Sequence, residues 1–551
     1  MNLIIYLIFY SLFIFSIIGY GYFFNNYFLD RNRINLGYCG LNGIFLLTLI
    51  SYLSNFFVSQ NIVFNSLVHT LGIIFFIYFS YKTLEFKKKY FIIMLIIFFL
   101  LVFFILSAKP HDDFQYYHFP YIHLLTLDST SIGIGNFNHG FRTHSSIFYL
   151  SSLFFLPVIE YDLVHIAPVF FLGFVNFVFL KKILDIFEKK NNNTYIIFLS
   201  LLNLILINIF FYRLGEHGTD RSAQILVLLA ITELLFFLNN KEFDNYSINR
   251  MLVLIFLIVS LKAFYLIYLI FVIPILYYEK DKYKFLLNLF KNKIFYLCLL
   301  FFSFVLFTNF INTGCFIYPL VITCSENLIW SIPKEEVEIM NQWYQLWSKG
   351  GASPNFTVEN KELYIQNFYW LKNWLDIYFF NKVSDYLCGL IFIVIIFIII
   401  FKRKNNNLNS QNKRKYLFTY LLIIFLLFEW FFNHPALRYG GYHLISLVIF
   451  IPLSFHLEKN ILINKNFKKK VTFLLLIICL IFVTRNLMRI SKEYTVYNYN
   501  ILTNPSYNEK FKNFDIYLGI SEAKKCKFVS DKCKNGSIKS KLLFKKNIFY
   551  K

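Results

Sequence analysis

The stretch "YFIIMLIIFFLLVFFILSA" (90–108) runs for nineteen residues without a charge. As a helix it is long enough to cross about 30 Å of hydrocarbon. In lipid every backbone polar group has to be satisfied within the segment, which makes such a run α-helical. The apolar–polar alternation of a membrane β-barrel is missing. Comparable runs occupy 3–24, 37–58, 62–81, 145–158, 163–180, 194–212, 222–238, 251–278, 294–311, 383–401, 416–432, 440–457 and 471–487. The chain therefore reads as an all-α polytopic membrane protein.

Composition points the same way. The 551 residues are 58% hydrophobic and 15% charged, whereas a soluble domain carries nearer a quarter charged residues. A soluble fold of this size leaves too much surface outside to hide that apolar content. The first run is too long for a signal peptide and lacks a small-residue cleavage site, so it reads as a retained span. The net charge of +23 excludes no function by itself, but its distribution argues against nucleic acid. Lys and Arg sit in short loops between apolar runs, as the positive-inside rule predicts.

That rule also sets a topology. The basic loops 82–89, 181–193, 279–293, 402–415 and 458–470 are expected to be cytoplasmic. An even number of crossings must join 82–89 to 181–193, yet three apolar runs lie between them. The shortest, 145–158, is interrupted by Ser145, Ser146, Ser151 and Ser152, and is predicted to lie in the outer interface. Likewise 251–278 joins two basic loops and carries Lys262. It is predicted to form two short helices turning at Ser260–Lys262. About 14 crossings result, with both termini outside.

On this topology the segments 108–144, 213–221, 312–382, 433–443 and 488–551 face outward. They hold eight of the eleven histidines: His111, His118, His123, His139, His144, His217, His434 and His443. Cys315 and Cys324 share one outer loop, and Cys526 and Cys533 share the tail. Two close pairs in an oxidising compartment predict two local disulfides, with free thiols as the alternative.

The chemistry-bearing residues concentrate in four stretches. "KPHDDFQYYHFPYIHLL" (109–125) carries His111 and the abutting Asp112 and Asp113. Adjacent carboxylates favour a bound cation or one raised pKa, suiting metal binding or general-base work; the plainer reading is a helix cap. "GIGNFNHGFRTHSSIFYL" (133–150) offers glycines with His139, Arg142 and His144, a loop able to hold an anion, although no strand precedes it to make a nucleotide-binding motif. "RLGEHGTDRSAQ" (213–224) brings Glu216, His217, Asp220 and Arg221, and "NHPALRYGGYH" (433–443) brings His434, Arg438 and His443. Arg438 also suits an interfacial anchor. Lys262 is an ionisable residue within an apolar run and so a functional candidate by default. Five of the six tryptophans, Trp330, Trp343, Trp347, Trp370 and Trp374, fall in or near 312–382, where membrane anchoring is the expected role.

These residues and their order resemble the C-type glycosyltransferases, the multi-span superfamily that includes protein O-mannosyltransferases and aminoarabinose transferases. The shared order is a span (90–107), an acidic pair (Asp112–Asp113), surface helices ("THSSIFYLSSLFFLP", 143–157) and a span ending in Lys181–Lys182. The second acidic loop corresponds to 213–221, and the short helix pair with a basic residue to 251–278. Three extra spans precede the acidic loop, "THSS" stands where His/Lys-Pro-Pro is common, and the tail after 488 is short. "GCFIYPL…TC" with "NHPALRYGGYH" is also similar to a group of bacterial polytopic membrane proteins without an assigned function.

The resemblance implies a division into three N-terminal spans (1–89), a catalytic membrane core (90–311), an outer loop (312–382), C-terminal spans (383–487) and an outer tail (488–551). It implies a glycosyltransferase of the bacterial inner membrane, its site facing the periplasm or exterior. The donor is then a sugar on a polyprenyl-phosphate carrier, and the acceptor a glycan, lipid or protein. Asp113 is the expected base, with Asp112 as second acid or ligand of a divalent metal. Arg142, Lys262 and Arg438 are the expected phosphate-binding cations. His111, His139, His144, Glu216, His217, Asp220, His434 and His443 are auxiliary candidates. The alternatives are an O-antigen-type polymerase or ligase and a transporter or lipid flippase; a transporter buries ionisable groups near the midplane, where the sequence offers few beyond Lys262 and Glu233.

Overall fold

The computed structural model describes residues 2–29, 35–82, 88–107, 113–188, 194–214, 218–239, 245–278, 281–353, 356–401, 414–458, 463–503, 505, 538–543 and 546–551. His111, Asp112, Glu216, His217, Cys526 and Cys533 lie outside them.

Apolar runs become helices throughout. The chain opens with α1 (Leu3–Phe28), α2 (Leu36–Asn55), α3 (Ile62–Lys82) and α4 (Lys88–Leu106). A π-helical turn, Phe114–His118, leads into α5 (Phe119–Leu127), followed by the short α6 (Ser146–Ser152). Next come α7 (Ala167–Phe187), α8 (Thr194–Ile205) with a π turn at Leu206–Phe210, α9 (Thr219–Asn239) and α10 (Asn245–Leu261). A 3-10 stretch, Ala263–Phe271, continues into α11 (Val272–Tyr278), then α12 (Lys282–Phe290) and α13 (Lys293–Thr313). The long connection that follows holds α14 (Lys334–Lys349), α15 (Lys361–Ile365) and α16 (Leu371–Trp374), the last running through a π segment into α17 (Ser384–Phe401). The chain finishes with α18 (Arg414–Asn433), a π turn Leu437–Gly441, α19 (Tyr442–Glu458), α20 (Lys465–Tyr497) and a hairpin of β1 (Lys539–Leu543) and β2 (Lys546–Tyr550).

Among the described residues eleven helices are long and apolar enough to cross a membrane. Three shorter apolar helices, Thr194–Phe210, Asn245–Leu261 and Ala263–Tyr278, fall where the remaining crossings were expected. The run 251–278 leaves the α-helix at Lys262, whose backbone is extended, and the 3-10 stretch beyond it packs against α10. The serine-interrupted run 145–158 is a seven-residue helix followed by turns, about 10 Å long and too short to cross. It is buried inside the protein and not laid on its surface, because Ser146 and Ser152 find partners in Ser260 and the Tyr149 carbonyl.

Helices α2, α7 and α9 form the enclosed centre, while α3, α17, α18 and α20 turn large apolar side chains outward, as a lipid-facing rim requires. The first three helices are continuous with the rest, since α2 packs on α7, α6 and α13. Without a hydrophobic drive between helices in lipid, close packing needs small residues. At Gly21 and Gly43 a Cβ would lie 1.8 Å from the Cys39 carbonyl oxygen and 1.9 Å from that of Ile17, so α1 and α2 meet backbone to backbone.

The tail departs from the all-α expectation. Strand β2 joins the connection between α5 and α6 through a parallel bridge, Ile132 to Ile548, and Asn136 Nδ2 donates to the Phe549 carbonyl. Cys315 and Cys324 form a disulfide with Cα atoms 3.9 Å apart.

Candidate functional site

Asp113 immediately precedes the π turn Phe114–His118, but its side chain makes no capping hydrogen bond there. It points elsewhere. Asp113 Oδ2 is 3.9 Å from Arg438 Nη2, Arg438 Nε is 3.5 Å from Asp220 Oδ2, and Lys262 Nζ donates to Asp220 Oδ1 at 2.7 Å. Four ionisable groups from four distant segments thus form one chain at one end of the bundle: the start of the π turn before α5, the start of α9, the break after α10 and the π turn before α19.

Local structure explains each position. Asp220 occupies the first turn of α9, where the helix dipole favours a carboxylate. Lys262 sits at the one residue where the backbone leaves the helix, so its side chain is free to turn toward Asp220. The Arg438 turn is fixed on both sides: Gln224 Nε2 donates to the Arg438 carbonyl at 2.6 Å, and Tyr378 Oη accepts from the Leu437 N–H at 2.9 Å. Tyr265 Oη donates to the Asp220 carbonyl at 3.2 Å.

Aromatic rings wall the cluster. The Arg438 guanidinium lies 4.9 Å from the Trp347 ring and 5.3 Å from that of Tyr439, and Lys262 Nζ lies 5.2 Å from the same tyrosine. His434 packs on Phe264 and Tyr439; burial, with the nearby Lys349 and Lys262 cations, pushes its pKa down to about 4. His434 is therefore neutral at pH 7. His443 pairs with the Tyr268 hydroxyl. Buried polar atoms without a hydrogen-bond partner recur around the cluster: Arg221 Nη1, Arg438 Nε, His434 Nδ1 and His443 Nδ1. Such groups are few in folded proteins and mark functional sites or missing polar ligands.

Other candidates are placed elsewhere. Arg142 is buried, donates to the Gly135 carbonyl at 2.8 Å and pairs with Glu336 at 2.8 Å. Burial by itself would raise the Glu336 pKa; Arg142 and Lys551 instead hold it below the ordinary value. His139 lies near this pair, its pKa lowered by burial and by Arg142. His144 is satisfied inside the protein by Asn309 Oδ1 and the Tyr52 hydroxyl. The glycine loop is no open anion cradle, because Gly135 abuts the Asn312 carbonyl and Gly140 the Tyr117 ring. His123 bonds the Tyr161 hydroxyl, and His118 is buried against the Tyr117 and Phe148 rings.

The anchoring role expected of the tryptophans fails for two of them. Trp370 and Trp374 are buried, with their indole N–H groups donating to the carbonyls of Asn367 and Pro435. Trp347, expected only as an anchor, and Arg221, noted beside Asp220 without a role, join the site, and Tyr439 is a site residue that sequence reasoning did not single out. The adjacency of Tyr439 to Arg438 and of Arg221 to Asp220 was the available signal. Among the described residues no three His, Cys, Asp or Glu side chains gather as metal ligands.

Fold and site together define a helical polytopic membrane protein whose ionisable side chains converge at one end of the bundle. The chain belongs to the family described as a domain of unknown function (DUF8201), which matches residues 1–445. Asp113, Asp220, Lys262 and Arg438 all lie within the matched span. No curated protein and no solved structure matches the chain.

Proposed function

We propose that the protein is a membrane glycosyltransferase that moves a sugar from a polyprenyl-phosphate donor to an acceptor at the outer face of the bacterial inner membrane. The observation that carries this reading is the convergence of Asp113, Asp220, Lys262 and Arg438. Asp113 takes the proton of the acceptor hydroxyl, whose oxygen forms a bond to the anomeric carbon. The bond from that carbon to the phosphate oxygen breaks, and the negative charge left on the lipid phosphate needs cations beside it. Asp220, which grips both Lys262 and Arg438, is the second carboxylate of the scheme among the described residues. The fourteen crossings and outward-facing site belong to this reading, as does the C-type glycosyltransferase architecture.

The test is Asp113→Asn in the purified protein, supplied with polyprenyl-phosphate sugars in nanodiscs. Loss of a general base removes about 10²–10⁴ of the rate, so transfer should fall by that factor while expression and insertion hold. Near-normal turnover would sink the assignment.

One observation favours the flippase reading as a rival. Helices α9 and α10 carry a second ionic group at their opposite ends, where Glu233 meets Lys182 at 2.5 Å and Arg250 at 3.9 Å. Headgroup translocation that persists in Asp113→Asn would favour this rival.

A further inference from the structure

The cations expected to hold a lipid phosphate are already neutralised. Lys262 and Arg438 are committed to Asp220 and Asp113, and Arg142 to Glu336. Arg221, the residue after Asp220, is different. Among the described residues no carboxylate lies within ion-pair distance of its guanidinium, which sits instead beside two rings, 4.7 Å from Phe211 and 4.1 Å from Tyr442. Its Nη1 is buried and has no hydrogen-bond partner.

We propose that Arg221 is the phosphate-binding residue of the site, receiving the phosphate of an amphipathic lipid whose chain lies along the adjoining aromatic wall. The proposal rests on the lipid-linked donor of the preceding section. Three features support it. Two nearly perpendicular rings, Phe211 and Tyr442, flank the guanidinium, and its planar fork matches phosphate oxygens two at a time. A buried charged N–H left without a partner destabilises the empty site and is relieved by an anion. The first turn of α9 begins at Thr219, and the positive end of its dipole adds to the attraction.

The wall beside Arg221 selects a lipid over free phosphate. Tyr442 stacks edge-on against Tyr386 at 4.8 Å, and Tyr386 against Phe210 at 5.4 Å, while Phe211 meets Tyr442 at 5.9 Å. The Tyr386 hydroxyl is occupied by the Tyr442 carbonyl and Ser446, so it offers no donor to a ligand. A charged head beside aromatic rings suits a phosphate attached to a hydrocarbon chain.

The test measures binding of polyprenyl monophosphate to the full-length protein in nanodiscs, with the uncharged polyprenol and inorganic phosphate as separate probes. Wild type should prefer the phosphorylated lipid over polyprenol at least tenfold, and Arg221→Gln should erase that preference. Arg221→Lys, which keeps charge but not the stacked fork, should lose about threefold or more. Arg142→Gln should bind as wild type. Arg221→Gln binding within twofold of wild type would overturn the proposal. Should that variant fail to fold, Arg221→Lys decides: wild-type affinity overturns, weakened affinity supports. Inorganic phosphate binding as tightly as the lipid would overturn the lipid part. The assay needs no turnover. Arg221-dependent binding without transfer removes the transferase reading and leaves this one, whereas transfer that needs Asp113 with binding that ignores Arg221 does the reverse.

Discussion

Asp220 holds the cluster together because, among the described residues, it alone touches both cations. Removing one member of a buried ion pair strands the other's charge, at roughly 3–5 kcal/mol. Asp220→Asn strands Lys262 and leaves Arg438 with the more distant Asp113, so a loss of that order in unfolding free energy is expected. Adding Lys262→Met should restore part of it, since both charges of the 2.7 Å pair are then gone. Thermal unfolding of the four proteins of this cycle checks the sign; a double variant worse than the single would refute the pairing. Asp113 is 35% exposed with its partner at 3.9 Å, and exposed pairs contribute about 1 kcal/mol or less. Its Asn variant therefore tests chemistry without unfolding the protein. His434 carries a pH signature. Its pKa of about 4 in the folded chain lies below the unfolded value of about 6.5. The unfolded state binds the proton first, so this contribution to stability is whole above pH 6.5 and is lost as pH falls toward 4. The unfolding temperature should drop between pH 7 and 5, and less steeply in His434→Asn; identical slopes would remove His434 as a cause.

At the scale of elements, the helix contacts that matter most are those without side chains. Gly43→Val should push α2 off α1, because its Cβ would meet the Ile17 carbonyl oxygen at 1.9 Å and backbone cannot yield as a side chain does. Loss of the monodisperse peak in detergent is expected, while Ile8→Val on the exposed face of α1 should be silent. What was legible in the sequence divides along the same physical line. Apolar length alone found the helices, since a run such as 90–108 has no other conformation in lipid, and the Lys262 break followed from a charge inside an apolar run. The π turns at Phe114–His118 and Leu437–Gly441 were not legible: they aim Asp113 and Arg438, but a one-residue bulge leaves no trace in hydropathy. Nor was the partner of Asp113, because 325 positions separate it from Arg438 and nothing local encodes a tertiary ion pair. Asp220 joins the cluster through Arg438 although 107 positions separate it from Asp113, and nothing local announces that proximity.

The whole molecule is polarised. One end gathers the Asp113–Arg438–Asp220–Lys262 chain, the α14 helix and the Cys315–Cys324 disulfide. The opposite end gathers lysines, with Lys89 on Glu188, Lys468 on the Phe187 carbonyl and Lys182 on Glu233. Two independent rules support the proposed orientation. Disulfides persist in oxidising compartments, which favours the first end outside, and lysine-rich ends stay cytoplasmic, which favours the second inside. The orientation matters for chemistry, since a site facing the cytoplasm would meet soluble activated sugars and have no need of a lipid carrier. The test uses a background whose only native cysteines are Cys315 and Cys324. A membrane-impermeant maleimide applied to spheroplasts should label Glu359→Cys, an exposed residue beside α15. Lys284→Cys in α12 and Lys465→Cys at the start of α20, both exposed, should label only after lysis. If Lys284→Cys and Lys465→Cys react in intact spheroplasts while Glu359→Cys is protected, the molecule is inverted. The carboxylates would then face the cytoplasm, and the lipid-linked donor would fall with the topology.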